Sequence, residues 1–466
     1  MLKPNYVKKI EIIGIHNRFD IYQEFKSGIN IIYGLNGVGK TTLIHVLTNI
    51  LNGDYYRFFG INFYRIKVWY DNENLIKIYQ VKDDDDITNN AYEIKVCAND
   101  DRRGKIIYRN ENKQEENEVE NEDSLEKYAD RENIVLPSAY FPAFRNMIEA
   151  WKSIEDSTDI DNTTSFARKV FGDFTPELNY PSIKDVQKHI LNEIEIIAEK
   201  IKDYDRSTIA QLSVKFIAKV NEAKENKKTI KSITNKIKAI YKKIEGFPIS
   251  SECYLSSTEV YTNILGMLDS EKLNTDSTIF LNIYCQALEN IFNLATEKFF
   301  IINKFLSAVN KFLDGKEIRI VKPNILDYSS SITVEFDDNS SVATLDVLSS
   351  GERHILTIIY TATYISQKKV VLIDEPEISL HIDWQRKLIS RISEQLSEIQ
   401  IIACTHSPMI TADHSRQELE LKLTDRNMWG VDEKDEDEIL WPINDNKLDN
   451  FDEYDYVTVP DDEIDD

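Results

Sequence analysis

The chain has 466 residues, 42% of them hydrophobic, which allows two or three substructures with real cores and argues against wholesale disorder. No stretch approaches the ~18 uninterrupted apolar residues of a membrane helix, and the first six residues lack the apolar core of a secretory signal, so no membrane partner is expected. The net charge of −24 excludes a uniformly basic nucleic-acid binder, though not a local basic groove.

Residues 8–33 alternate short apolar runs with turn signals and end in Gly28-Ile29-Asn30-Ile31-Ile32-Tyr33, a buried strand by length and β-branched content. A glycine-rich loop follows, then the apolar run Leu43–Leu47, which predicts a helix. Beyond Phe63 the pattern turns to strands at Tyr64–Tyr70, Leu75–Val81 and Tyr92–Val96, with polar turns that suit an antiparallel sheet. Residues 109–133 are nearly all polar and predict an exposed loop or a weak helix. Helical text fills 183–245 and 257–314. Ile190, Ile194, Ile197 and Ile201 recur at spacings of three and four, as do Ile230, Ile233, Ile237 and Ile240. Lys224, Lys227, Lys228 and Lys231 occupy the other face, which reads first as a solvated surface and second as a DNA stripe.

Strands return at Ile318–Val321 and Ile332–Phe336. The strand Val370–Ile373, a helix over 382–398 and the strand Ile399–Ala403 then imply a parallel sheet. Residues 431–466 carry sixteen acidic residues against two lysines and read as an acidic tail. Cys97, Cys253, Cys285 and Cys404 have no metal-type spacing and read as reduced, buried thiols of a cytoplasmic protein.

Gly34-Leu35-Asn36-Gly37-Val38-Gly39-Lys40-Thr41 satisfies G-x-x-x-x-G-K-[ST] in full, between a strand and a helix. Its glycines let backbone N–H groups turn inward around phosphate oxygens, and the helix N-terminus adds a favourable dipole. Asn36, Gly37, Gly39, Lys40, Thr41 and Thr42 are therefore the candidate nucleotide-binding residues, with Lys40 on the β and γ phosphates and the Thr41 hydroxyl on Mg²⁺. The strand at 370–373 delivers Asp374 and Glu375 from its carboxyl end. Asp374 is expected to hold Mg²⁺ through water and Glu375 to polarise the attacking water as general base. ATP and Mg²⁺ are the expected cofactors.

Leu348-Ser349-Ser350-Gly351-Glu352 resembles the signature motif of ABC-type ATPases. The resemblance implies that Ser349, Ser350, Gly351 and Glu352 act in trans, with Ser349 and Gly351 on the γ-phosphate bound by the opposite subunit, so that ATP joins two heads. The same residues also read as an N-cap before the helix His354–Tyr360. Thr405-His406-Ser407-Pro408 is similar to that family's switch segment, which implies that His406 senses the γ-phosphate. Two departures narrow the branch: Ser-Ser-Gly-Glu stands where transporter heads have Ser-Gly-Gly-Gln, and His381 stands at the D-loop aspartate. Glu375-Pro376-Glu377 followed by Leu380-His381 resembles the RecF-like and overcoming-lysogenization-defect ATPases, in the branch that includes Rad50 and SMC proteins. Their lead-in is similar to Gly14-Ile15-His16-Asn17-Arg18-Phe19-Asp20, which implies that Arg18 faces the base or the phosphates. The Q-loop glutamine is not assigned. The local landmark is Tyr140–Arg145, where Arg145 reads either as approaching the nucleotide or as anchoring a strand. The resemblance covers about residues 8–70, 135–146 and 315–412.

The expected fold is α/β, an ABC-ATPase head with a mixed sheet carrying the P-loop, an antiparallel β-subdomain and a helical insert. The expected divisions are 1–150 for the N-terminal half of the head, 151–314 for the helical insert, 315–425 for the C-terminal half and 426–466 for the acidic tail. This layout, without a nuclease motif of its own, resembles the ATPase components of two-gene bacterial anti-phage systems, PARIS ahead of Septu. That implies a homo-oligomer built from head-to-head dimers, which holds a TOPRIM-type nuclease effector and releases it on sensing a phage trigger protein. The competing class is a RecF-like DNA-repair or chromosome-maintenance clamp. The lysine-rich helices favour it, while the net charge and the short arm oppose it.

Overall fold

Uninterrupted apolar runs and alternating runs end in different sheets. The computed structural model describes residues 5–82, 92–99, 105–108, 134–155, 160–222, 230–255, 260, 263–264, 266, 275–322, 330–337, 342–421 and 423–425. In chain order the strands are β1 (Val7–Ile15), β2 (Phe19–Glu24), β3 (Ile29–Tyr33), β4 (Arg65–Tyr70), β5 (Leu75–Lys82), β6 (Tyr92–Ala98), β7 (Lys105–Tyr108) and β8 (Ser138–Phe141). They continue as β9 (Lys316–Val321), β10 (Ser331–Phe336), β11 (Val342–Ala343), β12 (Val370–Asp374), β13 (Ile401–Thr405), β14 (Glu418–Glu420) and β15 (Leu423–Asp425). The longer helices are α1 (Lys40–Leu51), α2 (Arg145–Glu155), α3 (Ile160–Phe171), α4 (Ile183–Glu222), α5 (Ile230–Glu245), α6 (Thr275–Lys298), α7 (Phe300–Asn310), α8 (Ser350–Tyr360) and α9 (Ile382–Gln395).

The central sheet has the order β14-β3-β13-β12-β8 and its pairings are all parallel. Every residue of β8, β12 and β13 is buried, as a parallel strand covered on both faces requires. A seven-stranded antiparallel sheet, ordered β15-β2-β1-β4-β5-β6-β7, draws on both ends of the chain, with Leu423 opposite Ile21. Its strands alternate: Ile66, Val68 and Tyr70 of β4 turn inward while Arg65, Lys67 and Trp69 do not. A three-stranded antiparallel sheet, β11-β10-β9, precedes α8. Parallel and antiparallel strands thus coexist, sorted into separate sheets.

The helical region between the two halves follows the isoleucine periodicity. Ile190, Ile194 and Ile201 of α4 are fully buried, as is Ile237 of α5, while Ile233 and Ile240 are nearly so. Both helices pack on α6, through Phe216 against Phe280 and through the hydroxyl pair of Tyr241 and Tyr284. Lys231 is exposed, whereas Lys224, Lys227 and Lys228 lie outside the described residues, as do 109–133 and 426–466.

Several boundaries moved. The strand expected at 399–403 runs over Ile401–Thr405, in register with Ile29–Tyr33 of β3, and the helix expected to reach 398 ends at Gln395. The helices α2 and α3 were not foreseen, and α2 crosses the division expected at residue 150. Their apolar contacts are sparse in sequence and made in space, as in the stacked pair Trp151 and Phe166.

Gln400 ties the two main sheets together. Its carboxamide accepts from Val7 N–H at 2.9 Å and donates to the Val7 and Lys26 carbonyls at 2.8 and 2.9 Å. Replacing it with leucine removes the partner of the Val7 N–H and carbonyl, while the Lys26 carbonyl keeps the Asn30 carboxamide; a buried polar group without a partner costs roughly 1–3 kcal/mol. Gln400→Leu should therefore lower unfolding free energy by about 2 kcal/mol or more in urea titration, beyond an ordinary surface substitution.

Candidate active site

Three adjacent parallel strands release three loops at one edge. Tyr33, Asp374 and Thr405 close β3, β12 and β13, with Thr405 opposite Tyr33 and Cys404 opposite Asp374. After β3 the chain turns through Gly37 and Gly39, both in the left-handed region at φ 79° and 82°, and α1 begins at Lys40. The Lys40 ammonium folds back over this loop and donates to the carbonyls of Gly34 at 2.9 Å and Leu35 at 3.0 Å. Burial lowers its pKa, and neighbouring acidic groups partly counter that effect. It also lies 3.3 Å from His406 Nδ1. An ammonium has only donors, so Nδ1 accepts and the ring proton sits on Nε2, which is 3.7 Å from Glu375 Oε1.

The Thr41 hydroxyl donates to Asp374 Oδ2 at 2.9 Å, while Asp374 Oδ1 is buried without a hydrogen-bond partner. Two hard oxygen donors, one of them unpaired, at a helix N-terminus suit a cation such as Mg²⁺ that takes its remaining ligands from phosphate and water. Glu375 continues the ladder for one residue, its N–H donating to Cys404 O at 2.9 Å, and then turns sharply at φ 45°. A left-handed conformation costs a non-glycine residue roughly 1–2 kcal/mol, so the surrounding structure must impose it. Arg145 does so. Its buried guanidinium donates to the carbonyls of Pro142, Asp374 and Glu375 at 2.6, 2.9 and 2.7 Å. Of its two readings, anchoring the strand is the one the geometry supports.

Ile15, His16, Phe19, Ile21, Asn36, Gly37, Gly39, Lys40, Thr41, Thr42, Glu375, His406 and Leu423 together line a cavity of about 640 Å³. A family model for the AAA ATPase domain matches residues 7–411. The chain belongs to the AAA ATPase domain family. Solved structures similar to this ATPase-family chain include the Smc head domain of Pyrococcus furiosus with an extended coiled coil bound to the C-terminal domain of ScpA. That similarity has 14% identity and a TM-score of 0.36, over 90% of this chain and 96% of that one. An SmcHead bound to the C-winged helix domain of ScpA is similar at 11% identity and TM-score 0.37, covering 90% and 98%. The Smc head domain of Pyrococcus yayanosii with a coiled coil and joint is similar at 14% identity and TM-score 0.32, covering 90% and 97%.

Not every expected residue joins the cavity. Arg18 is exposed, its guanidinium 4.7 Å from the Phe19 ring centroid, and Phe19 rather than Arg18 lines the wall. The segment Ser349–Glu352 lies away from its own chain's cavity. There Ser349 caps α8, with its N–H donating to Glu352 Oε2 at 2.7 Å and its hydroxyl accepting from Glu352 N–H at 3.4 Å. Burial pushes the Glu352 carboxyl up, but hydrogen bonds from Lys316 and Ser349 outweigh it and leave the pKa below its usual value. Glu352 thus serves its own helix, while Ser349 and Ser350 stay exposed. Gly351 allows a close approach, since a Cβ there would sit 2.8 Å from Ser379 O.

The sequence reading missed Glu377 as a site residue. Its Oε1 accepts from the N–H groups of His406 at 2.7 Å and Ser407 at 3.0 Å. The signal was the third acid of Asp374-Glu375-Pro376-Glu377. It also missed Gln385, which accepts from the Ser407 hydroxyl at 2.6 Å, and the apolar wall of Ile15, Phe19, Ile21 and Leu423.

Burial is the largest influence on Asp374, and Glu375 and Glu377 add to it against Thr41 and Arg145, raising its pKa from 3.8 to about 6. For a raised acid, the stabilisation is present below pH 3.8 and is lost as pH rises through about 6. Free of nucleotide and divalent cation, the protein should lose on the order of 3 kcal/mol between these limits. Asp374→Asn should flatten that decline in urea titrations run in EDTA from pH 4 to 7. Identical slopes for the two proteins would overturn the assignment.

Proposed function

We propose that this chain is an ABC-type ATPase of the RecF, SMC and overcoming-lysogenization-defect branch, which binds ATP with Mg²⁺ and hydrolyses it in a site shared between two copies. The observation that carries the reading is the convergence of Lys40, Thr41, Glu375 and His406 on one cavity from three neighbouring strand ends, with Asp374 bonded to the Thr41 hydroxyl behind it. Lys40 and the loop N–H groups hold the β and γ phosphates. Thr41 and Asp374 hold the cation, whose charge would offset that of the phosphates. Glu375 takes the proton of the attacking water, and His406, with its proton on Nε2, faces the γ-phosphate. Ser349 and Gly351, absent from their own cavity and set at a helix N-terminus, supply the donors of the opposite copy's site.

Glu375→Gln should cut turnover by roughly 10²-fold or more, in the range expected for loss of a general base, and should accumulate ATP-dependent dimers in light scattering. Ser349→Arg should abolish those dimers without weakening ATP binding by isolated chains. Dimers that persist in the double variant would sink the shared site.

The wider role we propose is that of sensor and scaffold in a bacterial anti-phage system of the PARIS or Septu kind, holding a TOPRIM-type nuclease and releasing it on meeting a phage trigger protein. The layout of head, helical segment and acidic tail supports it. A RecF-like DNA clamp is the second reading, favoured by the five lysines that α5 exposes, at 231, 236, 238, 242 and 243. Purification of the Glu375→Gln protein expressed with its neighbouring genes separates the two. A stoichiometric nuclease at moderate salt is the expected result, and DNA without a protein partner would transfer the case to the clamp.

A further inference from the structure

We propose that Glu377 is a positioning residue for the switch histidine, acting on catalysis through His406; this rests on the ATP-hydrolysis reading above. Two consecutive N–H groups, of His406 and Ser407, converge on the single oxygen Glu377 Oε1 at 2.7 and 3.0 Å. Charge-assisted bonds of this kind are about twice as strong as neutral ones. The pair holds both peptides that flank His406, and β13 also fixes the one before it, through the register of Thr405 with Tyr33. Gln385 pins the next side chain by accepting from Ser407 Oγ at 2.6 Å. With both flanking peptides held, His406 keeps only its side-chain rotamers free. Its ring then spans Lys40 Nζ at 3.3 Å and Glu375 Oε1 at 3.7 Å.

Glu377 has the reach to do this because it lies two residues beyond Glu375, across Pro376, whose ring fixes φ. Turns close the segment, with Ile378 N–H donating to Glu375 O and Leu380 N–H to Glu377 O. One short piece of chain therefore carries the cation ligand, the general base and the clamp on the switch. A third carboxylate beside Asp374 and Glu375 works against a polyanionic ligand. Its other oxygen, Oε2, is also buried without a partner. Holding the two N–H groups is the interaction that offsets both penalties.

The experiment measures ATP turnover and ATP affinity for the full chain and for Glu377→Ala, Glu377→Gln, His406→Ala and the Glu377→Ala/His406→Ala pair. Glu377→Ala should lower kcat by roughly 10²-fold, the scale of an ångström-level misplacement, while ATP affinity stays within about threefold. Glu377→Gln should recover most of the loss, because its amide oxygen still accepts both N–H groups. The double variant should be no slower than His406→Ala alone, since the two residues act as a unit. Additive losses, or an affinity that falls as far as kcat, would overturn the proposal. If the alanine variant fails to fold, Glu377→Asp carries the same cycle, keeping the charge but drawing the oxygen back by one methylene. A parental chain with no more turnover than Lys40→Ala would instead overturn the ATPase reading on which this rests.

Discussion

The parallel ladder that sets β13 between β3 and β12 is the constraint on which the remaining architecture depends. Its register places Asp374 opposite Cys404 and Thr405 opposite Tyr33, so β12 and β13 end beside a strand more than 300 residues earlier in the sequence. Because parallel strands all point the same way, their carboxyl ends share one edge, and α1 presents its N-terminus there. The Lys40, Thr41, Asp374, Glu375 and His406 geometry follows from that edge.

Around it, the supports consist of single side chains that bond to backbone. Arg145 holds three carbonyls on the acid-bearing strand and its neighbour. Gln400 holds the parallel sheet to β1. Asn30 caps the entry to β3, accepting from Lys26 N–H and donating to the Lys26 and Gly28 carbonyls. Buried side chains that satisfy backbone groups rigidify a loop edge without consuming the groups that chemistry requires.

The segment after Glu375 connects the two halves of the proposed shared site within one chain. Ser379 O sits where only glycine is tolerated at 351, and His354 of α8 is paired through Nδ1 with Ile378 O at 2.8 Å. These contacts join the segment after Glu375 to the N-terminal half of α8. The same segment carries local cost, in the left-handed backbone at Glu375 and in Asp374 Oδ1, which is buried without a hydrogen-bond partner among the described residues.

The glycine turn before α1, the acid pair that ends β12 and the His406 position after β13 were legible in the chain alone because each is a local pattern: a turn that needs glycine, or a buried strand ending in polar residues. The isoleucine spacing of α4 and α5 was legible for the same reason, since helical period writes burial directly into sequence. Arg145 and Glu377 were different. One reads as a charged residue after a short strand and the other as a spare acid, and their tasks lie in carbonyls and N–H groups brought near by folding. Backbone groups look alike at every position, so nothing in the text marks which of them a side chain will meet. The exposure of Arg18 and the apolar wall that Leu423 completes depend likewise on strand pairing between opposite ends of the chain, a long-range choice made by packing and register.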